Sequence, residues 1–220
     1  MVEENLWDRV NFSLLDRILS ACWHNEEGIP LLVEAMRPCQ RILDVPSGFG
    51  NLAKSLRDRG KEVYCLDLSE RSLRYSQAKS GSQFLIKGDM DSLPFKPVFD
   101  GVTCLSSFAC PSLDKVVREI TLTLRPGGYV GVTGVEGRLR SRAMELMGEK
   151  MVSKIKDCSL IVLPGELVVL ESYQTILGGV DVLDSSDRVV HSFEAQGIQI
   201  KRVEQFYEGT CYCVVGKKVA

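Results

Sequence analysis

The 220-residue sequence has only two histidines and no excess of basic residues. Each of these features argues against one class of binding site. The two histidines, His24 and His191, lie far from any close pair of cysteines, and no C-x-x-C pair occurs, so we expect no metal site. Lys and Arg number 27 against 29 Asp and Glu, which gives a net charge of −2. This balance argues against an extended nucleic acid as a partner, because such a ligand requires a basic surface.

Long apolar runs are also absent. No uninterrupted stretch reaches the roughly 18 residues that a membrane helix needs, and the acidic start MVEENLWDRV has no apolar signal core. The eight cysteines are scattered, and several stand inside apolar runs such as VYCLDL, where a free thiol packs as a small hydrophobic residue. We therefore expect a cytoplasmic protein with reduced thiols and no membrane partner.

The central part of the chain alternates short apolar runs with amphipathic ones, after N-terminal helices within residues 1–38. This alternation predicts parallel β-α-β units and a doubly wound α/β sheet. The predicted strands are Arg41–Val45, Glu62–Leu66, Gln83–Lys87, Gly101–Leu105 and Tyr129–Gly134. The predicted helices between them are Gly50–Arg59, Ser69–Ala78 and Ser112–Leu124.

The C-terminal part departs from this alternation. A helix over Arg188–Gln196 precedes two extended runs, Ile198–Tyr207 and Gly209–Lys217, which predict a hairpin. The interval Val135–Asp187 is longer than one connection needs. We therefore expect a single domain over residues 1–220, with an insertion or cap within residues 135–187.

A glycine-rich loop, Asp44-Val45-Pro46-Ser47-Gly48-Phe49-Gly50, follows the first predicted strand and opens a helix. A nucleotide-type ligand requires this context. Gly48 and Gly50 allow a tight turn and a close approach of the main chain to a ligand. The alternative is a tight strand-to-helix turn that binds nothing.

Three successive predicted strands have an aspartate at or just beyond their carboxyl ends, where open α/β sheets bind ligands. Asp67 follows Gly48 by about 20 residues, the spacing at which a carboxylate can accept both ribose hydroxyls of an adenosine. Asp89 is placed to meet the exocyclic amine of the adenine, and Leu68 and Met90 are placed to cover the faces of its ring. These residues favour an adenosine compound.

The motif Gly48-x-Gly50-x-x-Ala53 also satisfies the fingerprint of dinucleotide-binding enzymes. The glycines therefore cannot distinguish between adenosine compounds, and Asp44 is the residue that does. A carboxylate on the strand before the loop repels a pyrophosphate and attracts an ammonium group. S-adenosylmethionine carries an ammonium, a sulfonium and an adenosine, and no phosphate. The sequence therefore predicts S-adenosyl-L-methionine as the cofactor.

With these motifs, the stretch Arg41–Gly134 resembles the class I S-adenosylmethionine-dependent methyltransferases that act on small molecules. The resemblance rests on the glycine loop, on Gly88-Asp89-x-x-x-Leu93-Pro94-Phe95 before Phe99-Asp100, and on Leu124-Arg125-Pro126-Gly127-Gly128. It implies a Rossmann-like sheet of seven strands in the order 3-2-1-4-5-7-6, with strand 7 antiparallel. It also implies a methyltransferase with a small-molecule acceptor, whose selectivity we expect the interval Val135–Asp187 to encode.

The resemblance further implies roles for individual residues. The cofactor would contact residues in the loop and at the strand ends: Asp44, Pro46, Ser47, Gly48, Phe49, Gly50, Asp67, Leu68, Asp89, Met90, Leu105, Ser106 and Ser107. Residues expected at the acceptor are Trp7, Phe12, Phe108, Cys110 and Tyr173. If a general base is needed, Glu136 is the candidate, and its alternative role is the start of a solvated helix.

Two other functions remain open at this point. Pro46 stands where the family most often has glycine, and it removes an N–H and fixes φ. This departure, and the lack of a histidine after strand four, favour a regulatory module that binds the cofactor without turnover. The third hypothesis is an NAD-dependent oxidoreductase, against which Asp44 argues.

Overall fold

The computed structural model describes residues 24–105, 112–136 and 185–219. Within these residues seven strands form one sheet, in the order β3-β2-β1-β4-β5-β7-β6. The strands are β1 (Arg41–Asp44), β2 (Glu62–Asp67), β3 (Phe84–Lys87), β4 (Phe99–Cys104), β5 (Leu124–Val135), β6 (Ile198–Phe206) and β7 (Cys211–Lys218). β1 to β5 pair in parallel, and β7 runs antiparallel to both β5 and β6. The predicted α/β sheet, its strand order and the reversed seventh strand are confirmed.

Among the described residues, five α-helices pack on the two faces of this sheet. They are α1 (Ile29–Ala35), α2 (Asn51–Arg57), α3 (Glu70–Ser80), α4 (Leu113–Thr123) and α5 (Ser186–Ala195). Leu32, Leu52 and Leu73 of the first three helices belong to one buried cluster. Val116 of α4 and Phe193 of α5 belong to a second cluster. The apolar side of each helix thus covers one face of the sheet, and the sheet is doubly wound.

Two strands begin earlier than predicted. β4 begins at Phe99 and β5 at Leu124, and these two residues are paired across the strands. The pairing register between β4 and β5 then shifts between Phe99 and Gly101. The residues that follow Leu124, for which the sequence predicts a loop, therefore form an irregular first part of β5. The cause is the fully buried Leu124 side chain, which the core holds opposite Phe99.

The N-terminal described residues form a π-helical turn, His24–Gly28, that leads into α1. Gly28 packs over the sheet: a Cβ added there would lie 3.5 Å from Phe206, 3.6 Å from Leu105 and 3.7 Å from Thr133. Of the N-terminal helices predicted within residues 1–38, any part over residues 1–23 lies outside the described residues. Among the described helices, none has the length and apolar composition to cross a bilayer.

Five cysteines fall within the described residues, and all five are buried thiols outside any disulfide: Cys39, Cys65, Cys104, Cys211 and Cys213. Burial raises the pKa of the Cys39, Cys211 and Cys213 thiols to about 12. These thiols therefore stay protonated and fill space in the core, as the apolar run around Cys211 and Cys213 predicts for those two.

Gly50 fixes the geometry between β1 and α2. It is the N-cap of α2 with φ +75°, and a Cβ there would lie 2.9 Å from the Cα of Ser76 on α3. We expect Gly50→Ala to lower the free energy of unfolding by about 2 kcal/mol, because it adds left-handed strain and overpacking against main chain. Urea denaturation measures this loss. An unchanged midpoint would contradict the close packing of α2 on α3.

Candidate functional site

The predicted cofactor residues gather where β1, β2 and β4 end. Asp44 is the last residue of β1 and is paired with Cys65 of β2 on one side and Thr103 of β4 on the other. Asp67 is the last residue of β2. Because β1, β2 and β4 are parallel, both carboxylates lie at the same edge of the sheet, beside the glycine loop.

Asp44 is a buried carboxylate with an incomplete set of partners. Its side chain is 1% exposed, and one oxygen, Oδ1, accepts a hydrogen bond of 3.0 Å from the hydroxyl of Thr103. The other oxygen, Oδ2, is buried with no hydrogen-bond partner among the described residues. Burial raises the pKa of Asp44 to about 7, the Thr103 hydrogen bond opposes this rise, and the charge of Asp67 adds to it. A ligand that brings a positive donor to Oδ2 would satisfy this carboxylate.

Asp67 joins β2 to the glycine loop. Its Oδ2 accepts from the main-chain N–H of Gly48 at 2.9 Å, and its Oδ1 accepts from the N–H of Ser69 at 2.9 Å. Burial raises the pKa of Asp67 above its ordinary value, and these main-chain hydrogen bonds offset only part of the rise. Each carboxylate oxygen has a second lone pair. Asp67 can therefore hold the loop and still accept from a ribose hydroxyl.

Several main-chain positions of the loop offer no free donor to a ligand. Pro46 follows a cis peptide bond and has no N–H. Three N–H groups of the loop already donate within the protein: Ser47 to the carbonyl of Leu66 at 2.9 Å, Gly48 to Asp67 at 2.9 Å, and Gly50 to the carbonyl of Ser47 at 3.0 Å. These three groups could bind a phosphate only if their bonds within the protein were broken.

Ser47 and Gly48 complete the loop. The hydroxyl of Ser47 is buried and has no hydrogen-bond partner among the described residues. Gly48 has φ +49°, and a Cβ added there would meet no atom within 4 Å. Gly48 therefore borders open space, and its lack of a side chain leaves that space to a ligand.

The other predicted cofactor residues occupy the same side of the molecule. The ring of Phe49 packs edge-on against Tyr75 of α3, with the centroids 5.9 Å apart. Leu68 is 54% exposed, which is unusual for a leucine beside buried strand ends. Asp89 is exposed and accepts from the N–H of Asp91 at 2.9 Å, while Met90 packs against the core beside it. The carboxylate of Asp89 could accept from an adenine amine, and the side chains of Met90 and Leu68 could cover the faces of its ring.

Part of the predicted site lies outside the described residues. Leu105 follows β4 and lies beneath the π-helical turn. The residues predicted to follow it near the methyl group, and all five of those predicted at the acceptor, are outside the described ranges: Ser106, Ser107, Phe108, Cys110, Trp7, Phe12 and Tyr173.

Glu136, the candidate base, is buried directly after β5. Its side chain is 2% exposed, and its Oε1 accepts from both the N–H and the hydroxyl of Ser186, the N–H at 3.3 Å. Its own N–H donates to the carbonyl of Thr210 at 2.9 Å. The alternative of a solvated position is therefore wrong for this residue. Its partner Ser186, at the start of α5, carries no signal in the sequence.

Thr103 is a site residue that the sequence analysis missed. It lies on β4, is fully buried, and supplies the only hydrogen bond to the Asp44 side chain within the part of the chain that the structure describes. A threonine inside an apolar run was the available signal, but its pairing with Asp44 depends on the β1–β4 register. The described residues contain no group of three or more His, Cys, Asp or Glu side chains that could hold a metal ion.

The features of the site can be compared with the chemistry of S-adenosylmethionine. Asp44 provides an unpaired carboxylate oxygen, Ser47 an unpaired hydroxyl, and Gly48 an unobstructed main chain. Neither Asp44 nor Asp67 forms a salt bridge with any described lysine or arginine. The residues present fit a cofactor that brings its own positive charge.

Comparisons with known proteins identify a methyltransferase domain within the chain. Residues 43–132 match the family model described as a methyltransferase domain. A SAM-dependent methyltransferase from Thermotoga maritima has the same fold, with a TM-score of 0.64 at 15% identity over 94% of this chain and 95% of that one. Residues 43–132 therefore match a methyltransferase domain, and the seven-stranded sheet has the fold of the class I S-adenosylmethionine-dependent methyltransferases.

Two groups of curated relatives are similar to parts of the chain. The malonyl-[acyl-carrier protein] O-methyltransferase of Enterobacter lignolyticus is 34% identical over 95 residues, which is 42% of this chain and 38% of the relative. The ubiquinone biosynthesis O-methyltransferase of Thiobacillus denitrificans is 26% identical over 140 residues, 58% of this chain and 60% of the relative. The matches thus span less than two thirds of these relatives.

Proposed function

We propose that this protein binds S-adenosylmethionine and transfers its methyl group to a small-molecule acceptor. The observation that carries the proposal is the buried, half-satisfied carboxylate of Asp44. An ammonium group beside its Oδ2 would supply both the missing hydrogen bond and the missing positive charge. When bound, the cofactor supplies an electrophilic methyl group on a sulfonium.

The chain's own residues would orient this cofactor. Asp67 and the exposed Leu68 at the end of β2 would hold its ribose and cover one face of its adenine, and Asp89 would accept from the adenine amine. Methyl transfer is an in-line displacement, so alignment of donor and acceptor supplies most of what the protein must provide. This explains why strong catalytic motifs are few.

The position of Asp44 disfavours the NAD-dependent alternative. A dinucleotide would place a pyrophosphate beside this carboxylate and so bring negative charges together. The N–H groups of Ser47, Gly48 and Gly50 would not offset the repulsion, because they already have acceptors in the protein. An adenosine ligand with an ammonium group avoids this repulsion.

The proposed acceptor follows the names of the relatives. Both names describe O-methyltransferases, one acting on malonyl-[acyl-carrier protein] and the other in ubiquinone biosynthesis. We propose a small acceptor that carries a carboxyl or phenol oxygen. Residues 135–187 would set its selectivity, and the residues after Leu105 would lie beside the transferred methyl.

Release of S-adenosylhomocysteine tests turnover. Purified protein with S-adenosylmethionine is incubated with a malonyl thioester or with a catechol, and the product is measured by mass spectrometry. Release that depends on one acceptor class supports the proposal. Binding of S-adenosylmethionine with no release from a broad panel of oxygen and nitrogen acceptors would favour the regulatory alternative.

Glu136→Gln tests the proposed general base. The substituted amide retains a carbonyl that accepts from Ser186, so the fold and the affinity for S-adenosylhomocysteine should stay unchanged. Loss of the base should lower kcat about 100-fold with the acceptor found above. An unchanged kcat would assign Glu136 to holding α5 against β5 and remove it from the catalytic residues.

A further inference from the structure

Ser112 stands at the N-cap position of α4, but its hydroxyl does not cap the helix. A serine at this position ordinarily accepts from a main-chain N–H of the first turn. Within the described part of the chain no such side-chain bond forms, and the hydroxyl donates to Oδ2 of Asp91 at 2.8 Å. Nζ of Lys115, in the first turn of α4, lies 3.7 Å from the same oxygen. The start of α4 therefore holds a side chain of the loop between β3 and β4.

Asp91 in turn holds the carboxylate of Asp89. The main-chain N–H of Asp91 donates to Oδ1 of Asp89 at 2.9 Å, and the N–H of Ser92 donates to the carbonyl of Asp89 at 3.1 Å. Asp89 is exposed, so without these bonds its side chain would exchange between rotamers. The bond at Oδ1 leaves lone pairs on the carboxylate that can accept from a ligand. A chain of contacts thus runs from Ser112 through Asp91 to Asp89.

Other contacts already fix both ends of this loop. At one end, the N–H of Gly88 donates to the carbonyl of Asp67 at 3.1 Å. At the other end, Leu93 is buried in the core, and its N–H donates to Oε2 of Glu119 on α4 at 3.0 Å. The contacts of Asp91 act between these ends, next to the carboxylate that the proposed function assigns to the adenine.

We propose that Asp91 and Ser112 are positioning residues, which hold the Asp89 carboxylate where it accepts from the exocyclic amine of the adenine. This inference rests on the proposed function and deepens it, because it makes the choice of base depend on a contact between the loop and α4. Neither positioning residue touches the ligand. Their loss should therefore reduce the discrimination between bases and leave the binding of the rest of the cofactor intact.

Two ligands that differ only at the amine measure this discrimination. S-adenosylhomocysteine carries the amine, and S-inosylhomocysteine carries in its place a carbonyl oxygen, which a carboxylate repels. The unaltered protein should bind S-adenosylhomocysteine at least about tenfold more tightly, the value of a hydrogen bond to a charged group. Asp91→Ala should reduce this ratio to about two, chiefly by weakening S-adenosylhomocysteine. Calorimetric titration measures both affinities.

Two further variants separate positioning from folding. Ser112→Ala removes the donor to Asp91 and should lower the ratio as Asp91→Ala does. The double variant should lower the ratio no further, because both substitutions break the same chain of contacts. Asp91→Asn retains an acceptor for the Ser112 hydroxyl and should restore the ratio of the unaltered protein.

Glu119→Ala is the matched control. Glu119 is also an acidic residue that joins the loop to α4, but its carboxylate accepts from Leu93, four residues after Asp89. Its replacement should lower the unfolding midpoint and leave the ratio unchanged. An unchanged ratio in Asp91→Ala or in Ser112→Ala overturns the proposal, as does equal binding of the two ligands by the unaltered protein. The proposed function fails differently, with the unaltered protein binding neither ligand, which overturns both.

Discussion

Asp44→Asn should weaken binding of S-adenosylhomocysteine about 100-fold at about pH 8, because it removes the charge that faces the ligand's ammonium group. The affinity of the unaltered protein should also depend on pH. Burial raises the pKa of Asp44 to about 7, so the carboxyl is largely neutral well below this value and charged above it. The affinity should therefore rise as pH increases toward about 7 and then level off. The variant should lose most of this dependence.

The same substitution should stabilise the free protein. The folded pKa of Asp44 lies above its ordinary value of 3.8, so its contribution to stability is full below that value and is lost as pH rises to about 7. Above this range the folded protein holds a buried charge with no cationic partner among the described residues. We expect Asp44→Asn to raise the free energy of unfolding by about 2 kcal/mol at about pH 8 and by much less at acidic pH.

Calorimetric titration and urea denaturation at several pH values measure these two effects. Asp67→Asn is the companion variant, since Asp67 is the other charged group that acts on Asp44. It should lower stability, because its carboxylate accepts from Gly48 and Ser69. If Asp44→Asn lowers stability at every pH and leaves affinity unchanged, Asp44 is a structural residue and the assignment of the ammonium group is wrong.

Gly48→Ala should abolish measurable binding of S-adenosylhomocysteine, with a loss of about 100-fold or more, at a cost of only about 1 kcal/mol in stability. The stability cost arises from φ +49°, which is unfavourable for alanine. The binding loss arises because the added methyl would occupy the open space beside the loop, where no protein atom lies within 4 Å.

Gly60→Ala provides the control for backbone strain. Gly60 has φ +76°, and a Cβ there would also meet no atom within 4 Å. It lies before β2, at the opposite edge of the sheet from Gly48. Both variants should lose similar stability, but only Gly48→Ala should lose affinity. Equal affinity in the two variants would mean that the open space beside Gly48 does not receive the ligand.

The sequence was sufficient to predict the sheet and the composition of the loop. The alternation of apolar and amphipathic runs predicted parallel β-α-β units and the final hairpin predicted an antiparallel pair, whereas the strand order and the reversal of strand 7 followed from the family resemblance. The positions of Asp44 and Asp67 at strand ends followed from the ends of the apolar runs. These features are local, so hydrophobic period and turn residues encode them.

The contacts that define the site are not local, and the sequence could not supply them. Thr103 bonds to Asp44 across 59 residues, and Ser186 bonds to Glu136 across 50. Each depends on register and packing that no residue pattern specifies. The π-helical turn at His24–Gly28 was missed for a related reason, since its hydrogen bonds leave no distinct hydrophobic period.

The central claim is that the glycine loop and the strand ends bind an S-adenosyl ligand. Isothermal titration of the purified protein with S-adenosylhomocysteine, in parallel with NADH, tests it most directly. We predict saturable binding of S-adenosylhomocysteine at one site per chain, a rise in the unfolding temperature with the same ligand, and no binding of NADH. The absence of both heat and thermal shift with S-adenosylhomocysteine would contradict the account.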